Sequence, residues 1–260
     1  MSDYKNLLLA VDEHVAVLTL NRPNVLNALT AELNKELEHA LDTLGEDKKI
    51  RALILTGGAK AFAAGGDIQD MKGATPESIY AMAANNIRIY DKLEQFRAPT
   101  IAAVNGPCLG GGCELAMCCD FRVAGEGAKF GQPEIMLGIL PGAGGTQRLP
   151  RLVGLEYAKR MIYLGKPIKA EEALRVGLVG QVVPDDQVMD TAVTLAKQMS
   201  AMAGFAMSLA KEAINTGWSS GRSEGQAREH HSFSLVFSTA DQAEGFNAFI
   251  EKRPAKFNCQ

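Results

Sequence analysis

The stretch Asn105-Gly-Pro-Cys-Leu-Gly-Gly-Gly-Cys-Glu-Leu-Ala-Met117 constrains the chain most, because three consecutive glycines admit few structural roles. Ahead of it, Thr100 to Val104 is apolar, rich in β-branched side chains and bounded by Pro99 and Gly106, which predicts a short buried strand. Gly110, Gly111 and Gly112 are poor helix-interior residues, yet they let the main chain approach a ligand and leave unpaired N–H groups at the first turn of a helix. Glu114 falls in that turn, where the helix dipole favours a carboxylate, and Leu115, Ala116 and Met117 behind it are apolar. Taken alone, this is the pattern of a helix-terminal charge with no catalytic role.

A second stretch, Phe130-Gly-Gln-Pro-Glu-Ile135, changes that reading. It places Glu134 twenty positions after Glu114, among Phe130, Ile135, Met136 and Leu137, all side chains expected to be buried. A buried carboxylate must be hydrogen-bonded or protonated. If the two segments pack together, two carboxyl groups face one cavity, and repulsion plus desolvation raise at least one apparent pKa. Paired carboxylates of this kind can give and take protons.

With 260 residues, 47% hydrophobic and 22% charged, the chain can bury a full core, so one large domain, or one with an appendage, is expected. A net charge of −3 and the lack of a basic run argue against nucleic-acid binding, although local lysines and arginines can still meet one small anion. The start, Met-Ser-Asp-Tyr-Lys, has no apolar signal segment and no stretch reaches bilayer-spanning length; a soluble, cytoplasmic protein without a membrane partner is expected. Five cysteines, at 108, 113, 118, 119 and 259, point to free thiols in a chain without a secretory signal. Cys113, Cys118 and Cys119 are expected on one apolar helix and lack paired C-x-x-C spacing, so they read as small buried residues and no metal site is expected.

In chain order, Leu7 to Ala10 and Val15 to Leu20 predict a hairpin around Asp12-Glu13-His14. Thr30 caps a helix whose apolar positions 33, 37, 40, 41 and 44 follow the 3.6 period, with Gly45 ending it or weakening its last turn. A strand over Arg51 to Gly57 feeds a small-residue loop to Asp67, and Thr75-Pro-Glu-Ser78 opens a helix over 76–96. Strand, glycine loop and helix therefore occur twice, and two such loops can face one another across a crevice. A third glycine turn, Leu140 to Gln147, precedes helices from about Leu152, and Val179 to Val183 predicts a last short strand. Beyond Asp185 the pattern is helical, over 192–202, 206–214, 224–236 and 240–249, with too little core of its own to stand undocked.

Two other motifs fail on context. Gly217-Trp-Ser-Ser-Gly221 matches G-x-S-x-G by letter, but a helix precedes Ser219 where that nucleophile needs a strand, so a helix–helix turn is expected. His230 and His231 are adjacent and would point about 100° apart on a helix, which does not chelate one metal. No G-x-G-x-x-G follows a strand and no Walker-type loop occurs, so nucleotide sites lack support.

The chain resembles the crotonase (enoyl-CoA hydratase) family along nearly its whole length. The blocks that carry the resemblance are Asn21-Arg-Pro with Leu26-Asn-Ala-Leu29, Phe62-Ala-Ala-Gly-Gly-Asp-Ile68, Ile101-Ala-Ala-Val-Asn-Gly106, Gly110-Gly-Gly-Cys-Glu114, Phe130-Gly-Gln-Pro-Glu134, Pro141-Gly-Ala-Gly-Gly-Thr-Gln147 and Phe249-Ile-Glu-Lys-Arg253. The resemblance implies an α/β fold, a crotonase-like spiral of ββα units over 1–200 with a helical C-terminal region over 201–260 used in trimer formation. It further implies a homo-oligomer, commonly a hexamer built as a dimer of trimers, an acyl-CoA thioester as substrate, and neither metal nor redox cofactor. By position, the oxyanion hole falls on the N–H groups of Gly66 and Gly111, and the two catalytic carboxylates on Glu114 and Glu134. CoA recognition falls on Asn24, Val25, Leu26, Ala64, Gly66, Asp67, Ile68 and Gln69, joined by Phe249 and Lys252 of a neighbouring subunit. Two positions depart from the family pattern: Gly66 is often alanine in its hydratases, and Gln69 is lysine in some relatives. Enoyl-CoA isomerases usually need only one of the two acids, so keeping both favours hydration. A non-catalytic CoA-binding oligomer is disfavoured by the same pair, and an RNA-associated relative by the acidic balance.

Overall fold

The structure is a computed structural model and describes residues 4–258. Strands β1 (Leu7–Asp12) and β2 (Val15–Leu20) form the expected hairpin, with Glu13 at φ 51° in its turn. Helix α1 (Ala31–Glu46) is capped by the Thr30 hydroxyl, which accepts the Leu33 N–H at 3.2 Å, and it buries the predicted face. Gly45 does not end α1; the helix runs one residue further, to Glu46. Strand β3 (Ala52–Thr56) is buried throughout. The loop after it closes in α2 (Ile68–Met71), a single turn capped by Asp67 and too short to leave a periodic signal. Helix α3 (Pro76–Glu94) opens with a reciprocal Thr75/Ser78 capping box and stops short of the expected Phe96.

Strand β4 (Thr100–Val104) passes through β5 (Pro107–Leu109) before reaching α4 (Gly111–Met117). A three-residue strand beginning with proline carries no alternation, which is why the sequence suggested a direct strand-to-helix turn. Then come β6 (Phe121–Gly125), β7 (Lys129–Gly131), a 3-10 turn over Glu134–Leu137, and α5 (Gly145–Val153), which starts seven positions before the expected Leu152. Helix α6 (Leu155–Leu164), β8 (Ile168–Lys169), α7 (Ala170–Arg175) and β9 (Gln181–Val183) lead to α8 (Val188–Ser200), α9 (Gly204–Ser220), α10 (Arg222–Val236) and α11 (Ala240–Glu251).

Six strands form one sheet in the order β1-β2-β3-β4-β6-β9, parallel apart from the β1–β2 hairpin, while β5-β7-β8 form a second. One face of the large sheet buries Leu18, Leu53, Leu55 and Val104 with α1, and the other packs Ile54, Ile101 and Val123 against Val188, Ala192 and Ala196 of α8. An isolated parallel bridge, Ala63 to Cys108, stitches the loop after β3 to β5 and so brings the two glycine loops together.

Three expectations need correction. Ile135, Met136 and Leu137 are exposed rather than buried, because a single 3-10 turn that points Glu134 inward turns its successors outward. Cys118 and Cys119 lie beyond the last residue of α4, so the three cysteines do not share one helix, although Cys108, Cys113, Cys118 and Cys119 are all buried free thiols and Cys259 lies outside the described residues. Trp218 to Ser220 continue α9 instead of turning; the Ser219 hydroxyl donates back to the Asn215 carbonyl at 2.8 Å, and Gly221, at φ 113°, makes the joint to α10. Among the described residues, no helix is long and apolar enough to cross a membrane.

Candidate active site

The first glycine loop is shaped by hydrogen bonds that leave one amide over. Asn27 holds a left-handed backbone (φ 56°), and its buried side-chain amide donates to the carbonyls of Gly57, Ala61 and Phe62 at 2.8 to 3.2 Å. This ties the 22–29 segment to the loop after β3. The Ala64 N–H then donates to Leu26, the Leu29 N–H to Gly65, and the Asp67 N–H to Leu29, each at 2.8 to 2.9 Å. Gly66 lies exposed between these bonded residues, and among the described residues its N–H finds no acceptor.

The second loop presents another such amide. Gly110 adopts φ +52° at the head of α4, and Gly111, the first helical residue, has an N–H without an internal acceptor, as the start of any helix does. Gly112 is glycine for steric reasons: a Cβ there would lie 2.3 Å from the Ala63 carbonyl oxygen. Close approach of α4 to Ala63 sets the two loops side by side, so that a Cβ on Gly111 would stand 3.5 Å from the Gly66 nitrogen. Two main-chain donors without an acceptor among the described residues thus lie close together.

The carboxylates flank it. Glu114 is buried on α4, and its Oε1 accepts the N–H groups of Ala143 (2.8 Å) and Gly145 (2.7 Å) from the third glycine turn. Oε2 is left for another partner. Glu134 opens the 3-10 turn with Oε1 only 3.0 Å from where a Cβ on Gly110 would sit, so its carboxyl lies against the head of α4. In the orientation its neighbours require, the buried Gln132 amide donates to Glu134 Oε1 at 2.9 Å and Oε2 at 3.2 Å.

Burial raises both carboxyls. For Glu114 the rise from desolvation is opposed by the Gly145 and Ala143 N–H groups and by the Arg148 cation. Glu134 is pushed up to about 7 by burial; its own N–H lowers it only partly, and the Glu114 charge adds to the rise. Both carboxyls are therefore raised, Glu114 against three contacts that favour its ionised form and Glu134 to about 7.

The structure gathers Gly66, Gly111, Glu114 and Glu134 as the sequence placed them, with Ala64, Asp67, Ile68 and Gln69 along the same loop. Asp67 pairs with Arg22 at 3.3 Å while capping α2. Asn24, Val25 and Leu26 are exposed next to that loop, open to a ligand. Phe249 is 86% exposed at the end of α11 and Lys252, also exposed, follows at φ 55°, so neither packs against the glycine loops of its own chain. Sequence reading passed over Gln132 and the Ala143 and Gly145 amides, although the Phe-Gly-Gln-Pro-Glu and Pro-Gly-Ala-Gly-Gly-Thr-Gln blocks contain them.

Two glycine loops and two buried carboxyls packed together on a spiral of short strands and helices define a protein of the crotonase fold class. The enoyl-CoA hydratase/isomerase family profile matches residues 10–260, and the chain belongs to that family. A protein of Mycobacterium tuberculosis named as a probable enoyl-CoA hydratase is 47% identical over 254 residues, covering 98% of both chains. The short-chain-enoyl-CoA hydratase of Clostridium acetobutylicum is 45% identical over 252 residues, covering 96% of this chain and 97% of that one. The crystal structure of an enoyl-CoA hydratase from Bacillus anthracis superposes with a TM-score of 0.94 at 40% identity, over 98% of this chain and all of that one.

Proposed function

We propose that the protein is an enoyl-CoA hydratase, adding water reversibly across a trans-2-enoyl-CoA to give the 3-hydroxyacyl-CoA, with the coenzyme A thioester as substrate and no further cofactor. The thioester oxygen accepts the Gly66 and Gly111 N–H groups. Attack at C3 moves the electron pair onto that oxygen as an enolate, and each preorganised donor contributes about 2.7 to 4 kcal/mol to such a transition state. Glu114, anchored through Oε1, uses Oε2 to orient the water and take its proton. Glu134, protonated, delivers a proton to C2 as the enolate collapses. Proton exchange through solvent in the site returns the pair to its starting state.

The observation that carries this reading is a pair of buried carboxyls beside two unsatisfied amides, Glu114 anchored through Oε1 by the Ala143 and Gly145 N–H groups and Glu134 pushed up to about 7. Loss of crotonyl-CoA absorbance on adding enzyme tests it, with Glu114→Gln and Glu134→Gln as controls. Conversion of a 3-enoyl-CoA to the 2-enoyl-CoA without hydration would overturn it in favour of an isomerase.

In this reading Asn24, Val25, Leu26 and the 64–69 loop hold the CoA moiety, and Phe249 and Lys252 reach the site of a neighbouring subunit. The 1–200 segment forms the catalytic spiral and 201–260 the assembly region of a trimer, paired into a hexamer. Support comes from exposed apolar side chains: Met136, Leu137 and Leu140 beside the site, and Phe233, Phe246 and Phe249 on α10 and α11. Clusters of this kind mark protein contacts.

A further inference from the structure

We infer that Arg148 is a positioning residue for Glu114, acting through the turn that carries Ala143 and Gly145. The inference rests on the reading of Glu114 as a catalytic group. Arg148 stands on the first turn of α5 with its side chain only 12% exposed. Its Nη1 donates to the Ala143 carbonyl at 3.0 Å, while the Ala143 N–H donates to Glu114 Oε1 at 2.8 Å. One residue is thus gripped from both sides, by the arginine and by the acid. Between Ala143 and Gly145, Gly144 sits at φ 101°, and a Cβ on it would stand 2.0 Å from Arg148 Nη1. The turn is built around the guanidinium.

The other edge of the guanidinium is anchored on α3. Nε reaches Glu94 Oε2 at 3.0 Å, and Nη2 reaches the same oxygen at 2.6 Å and Asp91 Oδ1 at 2.5 Å. Both carboxylates lie in the last turn of α3, where the helix dipole opposes negative charge. Their placement is explained by the cation they hold. Arginine's planar fork bonds a main-chain carbonyl and two carboxylates at once, which a lysine ammonium does not reproduce. The charge acts as well as the fork: the groups facing Glu114 are Glu134, the Tyr90 hydroxyl, the Cys118 thiol, the Gln132 amide and Arg148, and the arginine is the cation among them that favours ionised Glu114.

Steady-state kinetics of Arg148→Met and Arg148→Lys across pH, with circular dichroism and Tm as folding controls, test the role. For Arg148→Met, kcat falls by about tenfold or more while KM stays within about twofold, as for a misplaced catalytic group. The acid limb of kcat/KM moves to higher pH, because loss of the cation raises the Glu114 pKa and the base is then protonated earlier as pH falls. Arg148→Lys restores the position of the limb but only part of kcat. A folded Arg148→Met enzyme with wild-type kcat and an unmoved limb overturns the inference. Should that variant not fold, Glu94→Gln removes one anchor and keeps the cation: a several-fold drop in kcat with the limb in place supports positioning, and unchanged kcat overturns it. Glu114→Gln runs alongside. If it still hydrates, the reading of the site itself has failed; if it is inactive while Arg148→Met is not, only the role of Arg148 has.

Discussion

Gly145 donates its main-chain N–H to Oε1 of Glu114 at 2.7 Å, and this bond, with that of Ala143 to the same oxygen, opposes the rise that burial imposes on this acid. Among the described residues Glu134 has no comparable pair of main-chain donors, and burial pushes it up to about 7. Geometry thus supplies what spacing along the chain did not, a reason to expect Glu114 as base and Glu134 as acid.

Glu114→Gln and Glu134→Gln should each lower kcat for crotonyl-CoA hydration by roughly 10²- to 10⁴-fold, the usual worth of a positioned acid or base. Because both acids act in one step, the double variant should lose little more than either single one. Near wild-type rates in both single variants would remove the mechanism.

The pH profile has a defined sign. The acid role requires protonated Glu134, so kcat/KM should fall as pH rises through about 7, while the base role requires ionised Glu114 and gives the profile its acid limb. Replacing Glu134 with glutamine should abolish the alkaline limb in the residual activity. An alkaline limb that persists unchanged in that variant would assign it to another group.

Stability carries the same signature. The folded pKa of Glu134 lies above its unfolded value, so the native state binds the proton more tightly and loses stability relative to a neutral side chain as pH rises from about 4.5 to about 7. Glu134→Gln should therefore raise Tm at pH 8 and leave it nearly unchanged at pH 4. An equal shift at both values would mean that packing, not ionisation, is responsible.

Much of this site was legible because its parts are local in sequence. Gly110 to Glu114 and Phe130 to Glu134 each encode a turn and an acid within a few residues, and the caps at Thr30 and Thr75 appear where their side chains predict them. What stayed hidden depends on contacts between distant segments. The Arg148 anchor on α3 joins residues more than fifty positions apart, and β5 exists as a strand only because β7 pairs with it. Exposure of Ile135 to Leu137 was missed because apolar character by itself does not distinguish a core position from an exposed one.

Two glycines of the site should respond oppositely to alanine. At Gly66 the nearest atom to an added Cβ is the flexible Met71 Cε at 3.4 Å, and the N–H is untouched, so Gly66→Ala should keep kcat within about threefold of wild type. At Gly112 the added carbon would sit 2.3 Å from a main-chain oxygen, and Gly112→Ala should cost about 1 to 3 kcal/mol, measured by denaturant unfolding, and lose activity as α4 is pushed from Ala63. A large loss at Gly66 with none at Gly112 would reverse the roles given to the two loops.

Whether the site is completed by a second chain can be read by complementation. Phe249 and Lys252 are exposed and unpacked in the single chain, and the proposal places them over a neighbour's CoA, where an ammonium meets phosphate as a point charge. Lys252→Ala should then raise KM severalfold with kcat little changed, since a contact remote from the reacting carbons contributes equally to ground and transition states. In oligomers reassembled from Lys252→Ala and Glu114→Gln chains, some sites combine an intact Glu114 of the first chain with an intact Lys252 of the second. A portion of the activity should therefore return to wild-type KM on mixing. A site confined to one chain has no such combination: every site with an intact Glu114 would also lack the lysine, and KM would stay at the value of Lys252→Ala alone.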